Sequence, residues 1–123
     1  CHNFDVYGHL DYIARYIPAN SYAYDWHDFN DLICIILKTI IEKGKGIEIN
    51  TAGLKYGMPE PNPCLDIVKI YHNLGGEIIT VGSDAHEVKF FAYRLDVAAD
   101  MLKNSGFNYY TIFNERKPEF IRL

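Results

Sequence analysis

The stretch EIITVGSDAH, residues 77–86, joins a run of apolar and β-branched residues to a polar sequence that contains an aspartate and a histidine. Such a run, preceded by Gly75 and Gly76, is typical of a buried strand. In an extended chain, alternate residues share a face, so Asp84 and His86 point the same way. The stretch therefore predicts a buried strand whose carboxyl end carries two polar side chains that can act together.

Strands and helices alternate on both sides of this stretch. Strand-like segments occur at 4–10, 46–51, 77–84 and 108–113, with helix-like segments at 29–44, 63–74 and 88–105. The order β-α-β-α-β-α-β is that of βα units and predicts an α/β fold with four parallel strands, about half of a barrel. The end of the chain, NERKPEFIRL (114–123), is interpreted as a polar tail.

Helical periodicity indicates which side chains face the sheet. The third helix should turn Val97, Ala98, Met101 and Leu102 inward. The second should begin at Pro63 with Asn62 as its cap. For the first helix, the inward residues at helical spacing are Leu32, Ile35, Ile36 and Ile40.

Composition limits the possible functions. The chain has 123 residues, whereas a complete α/β barrel typically needs about 250. An apolar fraction of 49% predicts a packed domain, and a net charge of −4 without a basic stripe disfavours nucleic-acid binding. No apolar run approaches the length of a membrane span. Three widely separated cysteines, an odd number, predict a reducing, cytoplasmic setting rather than a disulfide framework.

Polar residues cluster where the first three predicted strands end. His9 ends the first strand, Glu48 and Asn50 lie at the end of the second, and Asp84 and His86 end the third. In parallel α/β folds, ligands bind at the carboxyl ends of the strands, so these side chains are expected at one rim.

Imidazole and carboxylate groups are suitable ligands for Zn, Mn or Fe, and a divalent cation could activate water for hydrolysis. Each residue also has an ordinary structural explanation. His9 could bond a neighbouring carbonyl, Asp84 could cap a helix, and the residues around Asn50 could close a turn. Taken singly, those explanations are favoured, and it is the convergence on one rim that favours a metal site.

Three motifs in order, FDVYGHLDYIARY (4–16), GIEINTAGLK (46–55) and ITVGSDAH (79–86), resemble the polymerase-and-histidinol-phosphatase (PHP) superfamily. Within it, they are most similar to the monofunctional histidinol-phosphate phosphatases. The resemblance implies a distorted, TIM-like (β/α)7 barrel that carries up to three divalent metal ions in the intact enzyme. It also implies hydrolysis of L-histidinol phosphate, in histidine biosynthesis.

The resemblance also implies roles for individual residues. His9 matches the ligand of the G-H-x-D motif, and Asp84 and His86 match those of S-D-A-H. Lys55 stands where this subgroup often has an arginine that holds the substrate phosphate. Near the substrate lie Glu48, a candidate partner of the histidinol amine, and Asn50.

The H-x-H-T motif that opens this family is not present, nor are its further histidine and glutamate ligands. We therefore expect residues 1–123 to be the C-terminal portion of a single PHP-type barrel domain, with one metal or none and little activity alone. Exposed sheet edges could support a homo-oligomer. The alternatives are another PHP-family phosphoesterase and a non-catalytic binding domain.

Overall fold

The structure is a computed structural model that describes residues 3–16 and 25–123. Three parallel strands form its central sheet in the order β1-β2-β3, with the boundaries β1 Val6–Tyr7, β2 Gly46–Asn50 and β3 Ile79–Gly82. Tyr7 pairs with Ile47, and Ile47 also pairs with Ile79, so the strands are in register. The predicted α/β class and parallel pairing are confirmed for these three strands.

Three α-helices connect and cover the strands: α1 Asn30–Glu42, α2 Leu65–Asn73 and α3 Leu95–Asn104. Short 3₁₀ turns lie at Tyr12–Tyr16, Trp26–Phe29, Thr51–Tyr56 and Val88–Phe90. The chain leaves α1 through Gly44 at φ +62° and α3 through Gly106 at φ +95°. Both angles lie in the left-handed region, which glycine adopts without the steric cost of a Cβ atom.

The core lies between the sheet and the three helices. Ile47, Ile49 and Ile79 are fully buried on the strands. From α3, Ala98, Met101 and Leu102 are buried as predicted, while Val97 is half-buried. The helices thus cover one side of the sheet and hold the strand ends in place.

The predicted inward face of α1 is wrong for Leu32 and Ile35, whereas Ile40 is buried and Ile36 is partly buried against the core. The structure buries Ile33, Leu37 and Ile40, whereas Leu32 is 55% and Ile35 is 60% exposed. Because α1 is apolar almost all the way round, its sequence contains two stripes at helical spacing. The sequence pattern does not indicate which stripe is buried, and the packing of α1 against the sheet determines it.

Two helix starts also differ from the prediction. The third helix begins at Leu95 rather than at position 88, because Ala92 and Arg94 adopt positive φ angles of 55° and 52° and interrupt the chain after a 3₁₀ turn. The second begins at Leu65, and Asn62 does not cap it. The Asn62 backbone instead bridges to Asn50.

The fourth strand is not part of the parallel sheet, and the predicted polar tail is a strand. Strand β4, Tyr109–Asn114, pairs antiparallel with β5, Lys117–Arg122. The two-residue turn between them places Glu115 and Arg116 at φ 48° and 65°, as in a type I′ hairpin. This turn usually requires Asn or Gly, so its Glu-Arg sequence gave no signal of a hairpin.

The hairpin crosses the amino-terminal ends of the parallel strands. The Thr111 hydroxyl oxygen accepts a hydrogen bond of 3.2 Å from the backbone N–H of Ile79, at the start of β3. At the turn, Arg116 donates to both carboxylate oxygens of Asp5, just before β1, over 2.8 and 3.0 Å. The hairpin therefore covers the sheet at the end opposite to the rim that carries the candidate site.

Candidate functional site

The carboxyl ends of the three parallel strands form the rim. Asn50 on β2 pairs with Gly82 on β3, so these two strands end side by side. His9 follows β1, and Asp84 and His86 follow β3. The parallel register therefore brings the three predicted stretches to one edge of the sheet, as expected from the alternation of strands and helices.

Asp84 and His86 lie close together. The Nε2 atom of His86 is 3.4 Å from Oδ1 of Asp84, and the two side chains are 87% and 33% exposed. Asp84 adopts φ +44°, an unusual angle for a residue other than glycine. Both side chains are accessible, and neither is used as a helix cap.

His9 is exposed and adopts φ +57°. Its ring centroid lies 4.6 Å from that of Tyr12. The pKa of Tyr12 is raised, chiefly by its hydrogen bond with Tyr16 and by burial, and in part by the charge of Asp84. Tyr12 therefore lies beside His9, and the exposed His9 ring does not point into the core.

The donor types fit a transition-metal ion, since Asp84 and His86 supply one carboxylate and one imidazole within reach of each other. Within residues 3–16 and 25–123, however, no three His, Cys, Asp or Glu side chains meet closely enough to hold an ion. His9 thus lies at the same rim without completing a cluster with the other two. The ligand roles of the three residues stay a prediction.

Glu48 lies in a narrow slot between two glycines. A Cβ atom at Gly82 would be 2.5 Å from its Oε1 atom, and one at Gly8 would be 3.1 Å from Oε2. The Nδ2 atom of Asn50 donates to Oε2 over 3.1 Å. Small neighbours and one amide donor therefore place the Glu48 carboxylate between the ends of β1 and β3.

Asn50 is almost fully buried, at 3% exposure. Its Oδ1 atom accepts from the backbone N–H of Ala52 over 2.9 Å, and its backbone exchanges hydrogen bonds of 2.7 and 3.0 Å with Asn62. Both ends of its side chain have protein partners, since Nδ2 binds Glu48. In this arrangement Asn50 orients Glu48 and begins the 3₁₀ turn, and its contact with substrate stays a prediction.

Lys55 reaches the loop that follows β3. Its ammonium donates to the backbone carbonyls of Ser83 and Asp84 over 3.3 and 3.1 Å. The same group lies 4.9 Å from the centroid of the Phe90 ring. A cation is thus present beside the candidate metal ligands, as the motif predicts. Two of the hydrogen bonds of the Lys55 ammonium, however, go to the backbone of the loop that carries these ligands.

Sequence reasoning did not assign a role to Asp11, although the GHLD motif contains it. Its carboxylate accepts from Nδ2 of Asn62 over 2.6 Å and from the backbone N–H of Cys64 over 3.2 Å. Burial raises the pKa of Asp11 to about 6, against the lowering effect of these hydrogen bonds. Asp11 joins the end of β1 to the segment before α2, a link that no local pattern could indicate.

Arg15 is a second cation that sequence reasoning missed. Its guanidinium lies 3.7 Å from the Tyr56 ring centroid and donates to the Tyr12 hydroxyl. In the described part of the chain it has no carboxylate partner. Because Tyr12 also contacts His9, Arg15 belongs to the same rim.

Comparison with known proteins agrees with the motifs. A histidinol-phosphatase of Lactococcus lactis is 30% identical over 94% of this chain, and a protein of Thermotoga maritima named as a probable histidinol-phosphatase is 41% identical over 89%. The chain is similar to the histidinol-phosphatases. The resemblance drawn from the three motifs is thereby confirmed. The chain spans less than half the length of these relatives, 44% of the Thermotoga protein and 42% of the Lactococcus protein.

A solved histidinol-phosphatase has the same fold over this region. The crystal structure of histidinol phosphate phosphatase from Lactococcus lactis, complexed with zinc, L-histidinol and phosphate, matches 96% of this chain and 44% of its own. The TM-score is 0.74 at 26% identity. A scan of family models finds none that matches. Within the described residues, no helix is both long and apolar enough to cross a membrane.

Proposed function

We propose that this chain forms part of a metal-dependent histidinol-phosphatase that hydrolyses L-histidinol phosphate to L-histidinol and phosphate. The observation that carries the proposal is the convergence of Glu48, the Asp84–His86 pair and Lys55 at one rim of a chain similar to histidinol-phosphatases. We further propose that residues 1–123 correspond to the C-terminal portion of a PHP-type barrel.

Asp84 and His86, together with His9, are the residues that would hold a divalent cation, with zinc, manganese and iron as candidates. When bound, such a cation supplies Lewis acidity toward the phosphoryl oxygens and activates water. The intact enzyme would hold up to three ions, and this chain by itself one or none. The zinc of the Lactococcus complex supports a divalent metal.

Substrate binding is assigned to side chains with complementary charge. Glu48 would accept a hydrogen bond from the histidinol amine, because its carboxylate faces the rim and is held there by Asn50. Lys55 and Arg15 would attract the phosphate, since both are cations at this rim without a carboxylate partner in the described chain. The similarity to histidinol-phosphatases favours this substrate over those of other PHP-family phosphoesterases.

We also propose a cellular setting and an assembly for this protein. Cys34 and Cys64 are free thiols, in keeping with a reducing, cytoplasmic location. Within the described residues, β1 has a partner on one side alone, so its other edge could pair with a second copy. Size-exclusion chromatography at several protein concentrations would reveal such a homo-oligomer as an apparent mass that rises with concentration.

A chimera tests the proposed activity directly. This chain would replace the matching 44% of the Thermotoga protein, and phosphate release from L-histidinol phosphate would be measured with zinc or manganese. We expect metal-dependent hydrolysis, and we expect Asp84→Asn and His86→Gln to remove bound metal and activity together. Asp100→Asn, an exposed carboxylate on α3, is the matched control. A folded chimera that binds metal but releases no phosphate would refute the proposal.

A further inference from the structure

The loop between β3 and the 3₁₀ turn at Val88–Phe90 carries both Asp84 and His86 but has little internal support. Residues 83–86 have no regular secondary structure. Among the described residues, they also take part in no backbone-to-backbone hydrogen bond outside the sheet. Asp84 is held at φ +44°, which non-glycine residues adopt at a steric cost. Some other contact must hold this backbone conformation.

The 3₁₀ turn Thr51–Tyr56 supplies that contact. At its start, the Thr51 hydroxyl lies 2.6 Å from the carbonyl oxygen of Tyr93 and 3.3 Å from that of Gly82, on the two sides of the loop. At its end, the Lys55 ammonium donates to the carbonyls of Ser83 and Asp84. The turn therefore binds the chain before the loop, at Gly82, and beyond it, at Tyr93, while its hydrogen bonds to the loop itself, at Ser83 and Asp84, both come from Lys55.

Lys89, in the 3₁₀ turn that follows this loop, offers a natural comparison. Its ammonium lies 4.9 Å from the Phe90 ring centroid, the same distance as that of Lys55. Lys89 pairs with Glu87 over 2.8 Å at the surface and makes no hydrogen bond to a loop carbonyl. The two lysines thus carry the same charge and lie near the same aromatic ring. They differ in that only Lys55 donates hydrogen bonds to the Ser83 and Asp84 backbone.

We propose that Lys55 is a positioning residue, which fixes the backbone at Ser83 and Asp84 and so aims the Asp84 carboxylate and the His86 imidazole. A charge-assisted hydrogen bond to a carbonyl is stronger than a neutral one, and two such bonds suffice to hold an otherwise unsupported loop. Lys55 thereby acts on metal binding without touching the metal. The part of this inference that concerns metal rests on the proposed function, whereas the part that concerns loop order does not.

The sign of the effect on metal affinity separates positioning from simple electrostatics. Lys55→Met removes a positive charge close to the candidate ligands, and Coulomb's law alone predicts that a cation would then bind more tightly. Positioning predicts the reverse, because the two ligands would no longer be held in one arrangement. Lys89→Met removes a similar charge nearby and reports the electrostatic effect by itself.

The test uses the full chain with Lys55→Met, Lys55→Arg and Lys89→Met. In the metal-free protein, ¹⁵N relaxation should give backbone order parameters of about 0.85 for residues 83–86, falling below about 0.6 in Lys55→Met. Lys55→Arg, which keeps donors, and Lys89→Met should stay near the original values. Circular dichroism and thermal melting establish that each variant is folded.

Calorimetric titration with zinc gives the second measurement. We expect Lys55→Met to weaken zinc binding about 10-fold, the loss of roughly one charge-assisted hydrogen bond, while Lys89→Met leaves it unchanged or tighter. Unchanged loop order in a folded Lys55→Met variant would overturn the inference, as would equal weakening by both variants. Loss of loop order in a chain that binds no zinc would support the positioning of the loop, whereas absence of zinc binding by the chimera described above would refute the metal site of the proposed function.

Discussion

Asn62 donates a hydrogen bond of 2.6 Å to the carboxylate of Asp11, across 51 positions of sequence. The same asparagine exchanges backbone hydrogen bonds with Asn50, which in turn orients Glu48. A buried polar chain thus connects the end of β1, the segment before α2 and the end of β2. Among the described residues, the Oδ1 atom of Asn62 is buried without a hydrogen-bond partner, so this chain depends on the remaining bonds, and a change at Asp11 should alter the position of Asn62 and of the residues it contacts.

Asp11 should make stability depend on pH in a definite direction. Burial raises the pKa of this carboxyl from 3.8 to about 6, so between these values the folded protein binds more protons than the unfolded chain. The contribution of Asp11 to the free energy of unfolding therefore falls as pH rises through this window, by about 3 kcal/mol. In urea unfolding from pH 4 to 7, the original chain should lose stability relative to Asp11→Asn, whose side chain does not titrate, by roughly this amount. Asp100→Asn, an exposed carboxylate, should leave the pH profile unchanged.

Thr111 should stabilise the junction between the hairpin and the sheet. Thr111→Val keeps the shape of the side chain but leaves the backbone N–H of Ile79 without a partner, and Thr111 is only 1% exposed. A buried donor without a partner costs about 1 to 3 kcal/mol of unfolding free energy. Thr39 is the control, because its exposed hydroxyl donates to a carbonyl within α1. In denaturant titrations, Thr39→Val should change the free energy of unfolding by less than about 0.5 kcal/mol. Similar losses for the two variants would contradict this assignment.

The slot around Glu48 can be closed by a single methyl group. Gly82→Ala would place a Cβ atom 2.5 Å from Oε1, and the carboxylate would have to move. In the chimera described above, we expect the KM for L-histidinol phosphate to rise about 10-fold, as one charge-assisted contact is lost, with a smaller change in kcat. Gly8→Ala, with its closest approach at 3.1 Å, should have a milder effect. An unchanged KM in Gly82→Ala would argue against Glu48 as the partner of the amine.

The isolated chain should hydrolyse L-histidinol phosphate far more slowly than the chimera. Within the described residues, no three potential ligands come together, so a metal ion would be held by too few side chains. Phosphate release by the purified 123 residues, with excess zinc or manganese, measures this directly. Turnover equal to that of the chimera would show that this chain contains a complete site.

The features predicted correctly are those that depend on near neighbours in sequence. The β-branched run before Gly82 predicted β3, and the alternation of strands and helices predicted the parallel sheet and its polar rim. The hairpin was missed because its turn places Glu115 and Arg116 at positive φ, where asparagine and glycine are the usual signals.

By itself, the sequence determined the order of the strands and α-helices up to β4, the parallel pairing of three strands and the presence of His9, Glu48, Asp84 and His86 at strand ends. These follow from backbone preferences and side-chain periodicity, which act over a few residues. The tertiary structure decided which stripe of α1 is buried and that the hairpin crosses the far end of the sheet. It also decided that Lys55 binds the ligand loop. Such contacts join residues tens of positions apart. The local sequence is compatible with several such arrangements, and the packing of the whole chain selects one of them.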